Sequence, residues 1–252
     1  MKLKELTDYL DNFLDVKNIS DSAYNGLQVE GGNEVFKIAL ATDFCKKIAN
    51  LAIENKCQMI LCHHGICWPT IQSITGITKQ RIKTLLLNDI SLYGVHLPLD
   101  KHLQIGNNAV IVELLSAQQQ GEFGISSGSK IGLVAKLPKP LHIDELQSNF
   151  DKLLNTNSFL IKAEQGKEYI ENIGVISGGG AGKIGEAACL ELDVLITGET
   201  SHSNYYMAKE SGTHLLCGGH YKTETTGIKA LGKHLEDKFK LETVFFELPT
   251  GL

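Results

Sequence analysis

The sequence lacks the features that would place it in a membrane or in a secretory pathway. No apolar run approaches the roughly 18 residues that a membrane-spanning helix needs. Residues 1–6 also lack the continuous apolar stretch of a signal peptide. We therefore expect a cytoplasmic protein with no membrane-bound segment.

Excess positive charge is missing as well. Lys and Arg number 24 against 29 Asp and Glu, which gives a formal net charge of −5. Proteins that bind long stretches of nucleic acid usually carry a basic surface, so we do not expect such binding here.

Cysteine is sparse and is not arranged for a structural role. Six cysteines are spread from Cys45 to Cys217, and no C-x-x-C pair occurs. Disulfide scaffolds need a higher density of cysteine, and structural zinc sites need closer pairs. The pattern indicates reduced thiols and argues against both.

The sequence does contain apolar segments that alternate between the periods of strands and helices. The strands are predicted at residues 35–41, 59–62, 90–95, 131–137, 172–177, 193–197, 214–217 and 244–246. The helices are predicted at residues 3–14, 46–54, 79–87, 143–154, 184–192, 203–210 and 225–238. Up to about residue 95, this alternation is typical of an α/β domain with a largely parallel sheet, and a second alternation begins at about residue 131.

The chain is long enough for two lobes. A Gly- and Ser-rich segment at residues 121–129 is the predicted boundary between an N-terminal lobe, residues 1–125, and a C-terminal lobe, residues 126–252. Pro138 and Pro140 are predicted to end the first strand of the second lobe.

The most informative feature is the pair His63 and His64, which follows a short apolar strand. Adjacent side chains on a strand point to opposite faces, so one pocket normally receives only one of them. At a strand end, where the backbone turns, both rings can reach the same side. Such a pair could supply one imidazole to each of two metal ions.

Three further strand ends carry polar side chains. His96 and Asp100 follow one strand, and Glu199 follows another. His220 follows a third, with Glu224 four residues later, a spacing that places both on one face of a helix. Because ligands of open α/β sheets bind beyond the carboxyl ends of the strands, we expect these groups to be neighbours.

Five of these groups match the needs of a dinuclear metal site: His63, His64, Asp100, His220 and Glu224. They exceed the three protein ligands of a typical catalytic zinc and suit two ions when one carboxylate bridges. Mixed nitrogen and oxygen ligation favours Zn, Fe or Mn. His96 stays open as a ligand, a supporting residue or a substrate contact, and Glu199 as a group that orients a ligand or acts as a base.

Residues 180–185 match the dinucleotide-binding pattern G-x-G-x-x-G. A dinucleotide fold usually opens with this loop and needs further βαβ units, whereas only about 70 residues follow it here. We therefore interpret the segment as a tight turn from strand to helix, with an anion at the helix start as a further option.

Several motifs occur in an order that resembles one known family: residues 25–31 (NGLQVEG), 62–65 (CHHG), 93–100 (YGVHLPLD), 106–108 (GNN), 177–180 (SGGG) and 218–224 (GGHYKTE). They are similar to those of the NGG-interacting-factor-like family, whose bacterial members carry the name type 2 GTP cyclohydrolase I. The resemblance runs along almost the whole chain.

The resemblance implies two similar α/β lobes with mixed sheets flanked by helices, and a dinuclear metal site in the cleft between them. It implies the same five ligands, with Glu224 as the bridging one, and two divalent ions per subunit. It also implies a homo-oligomer of six subunits arranged as a toroid.

The family name implies a metal-dependent hydrolase of GTP or another nucleotide, which opens the guanine imidazole ring with loss of formate. The alternative is a non-enzymatic, ring-shaped protein that binds or transports metal or regulates a partner. A hydrolase should lose turnover in Glu224→Gln, whereas a carrier should bind and transfer metal without turnover.

Overall fold

The structure is a computed structural model that describes residues 1–69 and 73–251. The chain forms two compact units. Unit 1 comprises Met1–Leu99 and Ile228–Leu248, and unit 2 comprises Asp100–Gly227 and the residues from Pro249 on. Among the described residues, every helix is too short or too polar to cross a membrane.

Strands and helices alternate along most of the chain. The strands are β1 (Gly26–Val29), β2 (Lys37–Asp43), β3 (Met59–His64), β4 (Ser91–Gly94), β5 (Gln118–Ser126), β6 (Ser129–His142), β7 (Phe159–Ile161), β8 (Tyr169–Ile176), β9 (Val194–Thr197), β10 (His214–Cys217) and β11 (Glu242–Phe245). The helices are α1 (Leu3–Phe13), α2 (Lys46–Glu54), α3 (Gly76–Leu86), α4 (Leu97–Lys101), α5 (Asn107–Leu114), α6 (Ile143–Leu154), α7 (Ile184–Cys189), α8 (Tyr205–Glu210) and α9 (His220–Phe239).

Each unit is built on one mixed sheet. Within the described residues, the sheet of unit 1 has the strand order β1-β4-β3-β2-β11, in which only β1 runs antiparallel to its neighbour. The sheet of unit 2 has the order β5-β6-β8-β9-β10-β7, with β8, β9 and β10 parallel. Its other strands pair antiparallel. Two mixed sheets flanked by helices confirm the predicted fold class.

Several predicted elements have the bounds that the apolar pattern indicates. The bounds of α2, α6 and β10 match the predicted ones. β3 runs two residues beyond its predicted end and includes both His63 and His64. α9 begins at His220, five residues before its predicted start.

The expectation that Pro138 and Pro140 end a strand is wrong, because β6 runs through both of them to His142. The pairing of β6 with β8 shifts register between Lys136 and Leu141. A proline has no N–H to donate to a ladder, so a strand tolerates it where regular pairing lapses.

The Gly- and Ser-rich segment at residues 121–129 forms the hairpin between β5 and β6. Gly128, with a φ of +83°, makes the turn that glycine adopts without strain. The units divide after Leu99 and after Gly227, whereas the sequence predicted one boundary near residue 125. Turn composition alone does not distinguish a hairpin from a boundary between lobes.

The sheet of unit 1 carries its core on both faces of β3. Met59, Ile60, Leu61 and Cys62 are completely buried. A parallel strand that is covered on both faces gives an uninterrupted apolar run rather than an alternating one. The histidine pair therefore follows directly on a completely buried strand segment.

Replacing Leu61 with Ala should lower the free energy of unfolding by about 2–5 kcal/mol, because the deletion leaves a cavity in the core. The matched control is Leu87→Ala, at a side chain that is 72% exposed. It should change that free energy by less than about 0.5 kcal/mol. Urea unfolding followed by circular dichroism in the presence of a chelator measures both, and equal losses would contradict the placement of β3.

Candidate metal-binding site

Three histidine rings of unit 1 lie together at the carboxyl ends of neighbouring strands. The ring centroids of His63 and His64 are 4.7 Å apart, and that of His96 is 5.1 Å from His63 and 5.4 Å from His64. One nitrogen of each ring lies within 4.8 Å of the others, so the three could hold a metal ion. The structure thus brings the predicted pair together with His96, whose role the sequence left open.

The last two residues of β3 are fixed by neighbouring strands. The Nδ1 atom of His63 makes a 2.8 Å hydrogen bond with the carbonyl oxygen of Val95, just after β4. The Nδ1 atom of His64 makes a 2.8 Å hydrogen bond with Oδ1 of Asp43, its register partner at the end of β2. Side chains at a strand end can lean along the strand, which lets the two rings converge.

His96 is held by a buried carboxylate. Asp21 accepts hydrogen bonds from Nδ1 of His96 and from the backbone N–H of Leu97, both at 2.9 Å. The backbone N–H of His96 itself donates to Oδ1 of Asn25 at 2.7 Å. Burial would raise the pKa of Asp21, but the hydrogen bond and charge of His96 and the hydrogen bond from Asn25 outweigh it. The pKa of Asp21 therefore lies well below its usual range, and the ionised carboxylate fixes the ring of His96.

His220 and Glu224 occupy the first turn of α9 in unit 2. Nε2 of His220 lies 3.1 Å from Oε2 of Glu224, which is the contact that the i,i+4 spacing predicts. Nδ1 of His220 makes a 2.9 Å hydrogen bond with Oε1 of Glu199. The hydrogen bond with Glu224 is the main cause that raises the pKa of His220 to about 9, against the opposing effect of burial.

Asp100, in unit 2, is buried and tightly held. Its Oδ1 atom accepts hydrogen bonds from Nδ2 of Asn107 at 2.8 Å and from the hydroxyl of Ser177 at 2.9 Å. Gly178, the residue after Ser177, lies so close to Glu224 that a Cβ atom at this position would overlap the carboxylate. Residues 177–178 therefore contact both predicted carboxylate ligands of this unit.

Sequence reasoning named Glu199, which contacts Nδ1 of His220, but it missed Asp43 and Asp21, which contact the rings of His64 and His96. Asp43 ends β2, so the rule of strand carboxyl ends that selected His63 could also have found it. Asp21 lies in a loop and gives no periodic signal. Residues 180–185 form a 3-10 turn, Gly180–Lys183, that leads into α7, as the tight-turn interpretation expects.

Replacing Gly178 with Ala should displace the Glu224 carboxylate and strain the backbone, whose φ is +61°. We expect the free energy of unfolding to fall by about 1–2 kcal/mol or more, since this conformation is costly for a residue with a Cβ atom. A urea titration measures the change, and a metal titration of the same variant should show weaker binding.

The matched control is Gly182→Ala, in the same glycine-rich segment. A Cβ atom at Gly182 meets nothing within 4 Å. Its free energy of unfolding should change by less than about 1 kcal/mol. Two variants with equal stability and equal metal binding would show that Gly178 does not make room for Glu224.

A family model, curated proteins and a solved structure each match all or nearly all of this chain. The model of the family described as Duf34/NIF3 (NGG1p interacting factor 3) matches residues 1–250. Proteins from Pyrococcus horikoshii and Archaeoglobus fulgidus, each called GTP cyclohydrolase 1 type 2 homolog, are 40% and 38% identical, with 100% of both chains covered in each case. The solved structure of protein ybgI, whose function is described as unknown, matches with a TM-score of 0.94 at 34% identity and covers 100% of both chains.

Proposed function

This chain belongs to the Duf34/NIF3 family, and we propose that it is a hydrolase that works with two divalent metal ions. The observation that carries the proposal is a hydrogen bond from Nδ1 to a protein acceptor in each of the three proposed histidine ligands: His63, His64 and His220. Metal-binding histidines almost always have such a partner, because it fixes the ring and presents Nε2 to the ion.

The donor set fits such ions. The proposed ligands are His63, His64, Asp100, His220 and Glu224. Imidazole nitrogens combined with carboxylate oxygens suit Zn, Fe or Mn, whereas Ca and Mg prefer oxygen alone. Glu224 is proposed as the bridging ligand, which is supported by its burial and by the close approach of Gly178.

When bound, such a pair of ions lowers the pKa of a water molecule and polarises the group under attack. Residues of the chain itself fix the orientation of the proposed histidine ligands. Asp43 orients His64, and Glu199 orients His220. We therefore assign Glu199 to positioning a ligand rather than to proton transfer.

Proton transfer is assigned to His96. Its Nδ1 atom faces the ionised carboxylate of Asp21, which holds the ring in the tautomer that accepts a proton at Nε2. A positioned imidazole of this kind is the commonest general base in enzymes. His96 would take up the proton that the attacking water releases.

The proposed substrate is GTP or a related nucleotide. The support is the description GTP cyclohydrolase 1 type 2 homolog that the relatives share. The corresponding reaction opens the guanine imidazole ring and releases formate. The six-subunit ring that the family resemblance implies stays a prediction that light scattering can check.

Glu224→Gln should lower turnover at least about a hundredfold, because the amide keeps the shape of the side chain but loses the negative charge that would hold the ions. Formate release from GTP by the metal-loaded protein measures it. The matched control is Glu210→Gln on α8, which is exposed and should keep wild-type turnover. A wild-type protein that binds two ions and transfers them without releasing product from any nucleotide would instead identify a metal carrier.

A further inference from the structure

Trp68 lies beside the histidine rings but has no role in the proposed metal chemistry. It is the only tryptophan in the sequence. Its ring centroid lies 6.2 Å from that of His64 and 5.6 Å from that of His96, and the indole meets His96 nearly edge-on at 68°. Ile66, two residues earlier, packs against the core of unit 1, whereas the Trp68 residue is 36% exposed. A large apolar ring is therefore displayed beside the histidine rings.

The loop that carries Trp68 is held by the side chain of Gln28 and by a 3.0 Å hydrogen bond from the backbone N–H of Tyr24 to the carbonyl oxygen of Cys67. Oε1 of Gln28 accepts the backbone N–H groups of Ile66 at 2.7 Å and of Cys67 at 3.2 Å. Gly65 packs so closely on Gln28 that a Cβ atom there would overlap the amide. The carbonyl oxygen of Tyr24 accepts from Nε2 of Gln28 at 2.7 Å. A loop held in this way presents its side chain at little entropic cost when a ligand binds.

The same short segment of chain also positions His96. Asn25, three residues before Gln28, accepts the backbone N–H of His96. The Asn-Gly-Leu-Gln motif at residues 25–28 therefore fixes both the proposed base and the loop of the indole. The shared anchor sets the position of Trp68 relative to the reacting groups.

We infer that Trp68 is the specificity-determining residue that stacks on a planar heteroaromatic ring of the substrate. The inference rests on the proposed function for the location of the reacting groups. A partly exposed indole gains stacking and apolar burial from a flat ring of the substrate. Stacking tolerates different bases because each has a π-face. A sugar phosphate without a base lacks that face and would bind without contact to Trp68.

Because the chain has one tryptophan, its fluorescence reports on this position alone. The zinc-loaded protein is titrated with GTP, with ATP and with ribose 5-phosphate. Both nucleotides should change the emission, and ribose 5-phosphate should leave it unchanged. Calorimetry should show an affinity for GTP that falls about tenfold or more in Trp68→Leu and stays within about threefold in Trp68→Phe.

The matched control is Phe36→Leu, at an aromatic residue that is 60% exposed. Phe36 precedes β2, whereas Trp68 follows β3, so the two lie at opposite ends of the parallel strands of unit 1. It should bind GTP as the wild type does. Equal GTP affinity in Trp68→Leu and the wild type would overturn the inference. So would an emission that changes with protein concentration and not with nucleotide, because the indole would then lie between copies of the chain.

The metal content of each variant separates this inference from the proposed function. Trp68→Leu should keep wild-type metal content, since Trp68 is not a ligand. Wild-type protein that binds metal, with no response of Trp68 to nucleotides, would overturn the inference alone. Protein that binds no metal, with nucleotides still quenching Trp68, would contradict the proposed function alone.

Gln28→Ala tests the positioning of the loop. Loss of the amide should increase the rotational freedom of Trp68 and lower its fluorescence anisotropy, while the metal content stays unchanged. GTP affinity should fall by several-fold, because the loop must then be ordered on binding. Unchanged anisotropy together with unchanged affinity would show that Gln28 does not position Trp68.

Discussion

The convergence of three imidazoles at one end of the unit 1 sheet is the constraint on which the rest depends. Nitrogen atoms of His63, His64 and His96 lie within 4.8 Å of one another, so their lone pairs or protons must share a small volume. Each ring is prevented from turning away by a hydrogen bond at Nδ1. In the proposed function, His63 and His64 bind divalent cations, and His96 lies beside them as the base.

The five proposed ligands could be named from local patterns in the sequence, because His63, His64 and Asp100 come after predicted strands and the other two share a helical spacing. His63 follows an unbroken apolar run, and the spacing of His220 and Glu224 requires only a helix. The outcome for His220 is the clearest, since α9 begins at that residue and the two side chains are in contact. A local sequence pattern is therefore sufficient to predict a contact between two side chains that lie on the same helix.

Residues that act across elements could not be found in this way. Asp21 lies 75 residues from His96, and Gln28 lies 38 residues from Ile66. Their roles depend on which loops meet in the fold, and the apolar periods contain no such information. The same limit applies to β11: the apolar pattern predicted a strand at residues 244–246 but not its pairing with β2. The prediction that Pro138 and Pro140 end a strand was wrong for a related reason. The register shift that accommodates the two prolines depends on the partner strand β8, which the sequence of β6 does not reveal.

The central claim is that this chain holds two divalent ions, and the number of ions per chain tests it most directly. Untagged protein is stripped with a chelator, reconstituted with Zn, Fe or Mn, freed of excess metal and analysed for its elements. The account predicts about two ions per chain for at least one of these metals. Fewer than about one ion per chain with all three would contradict it.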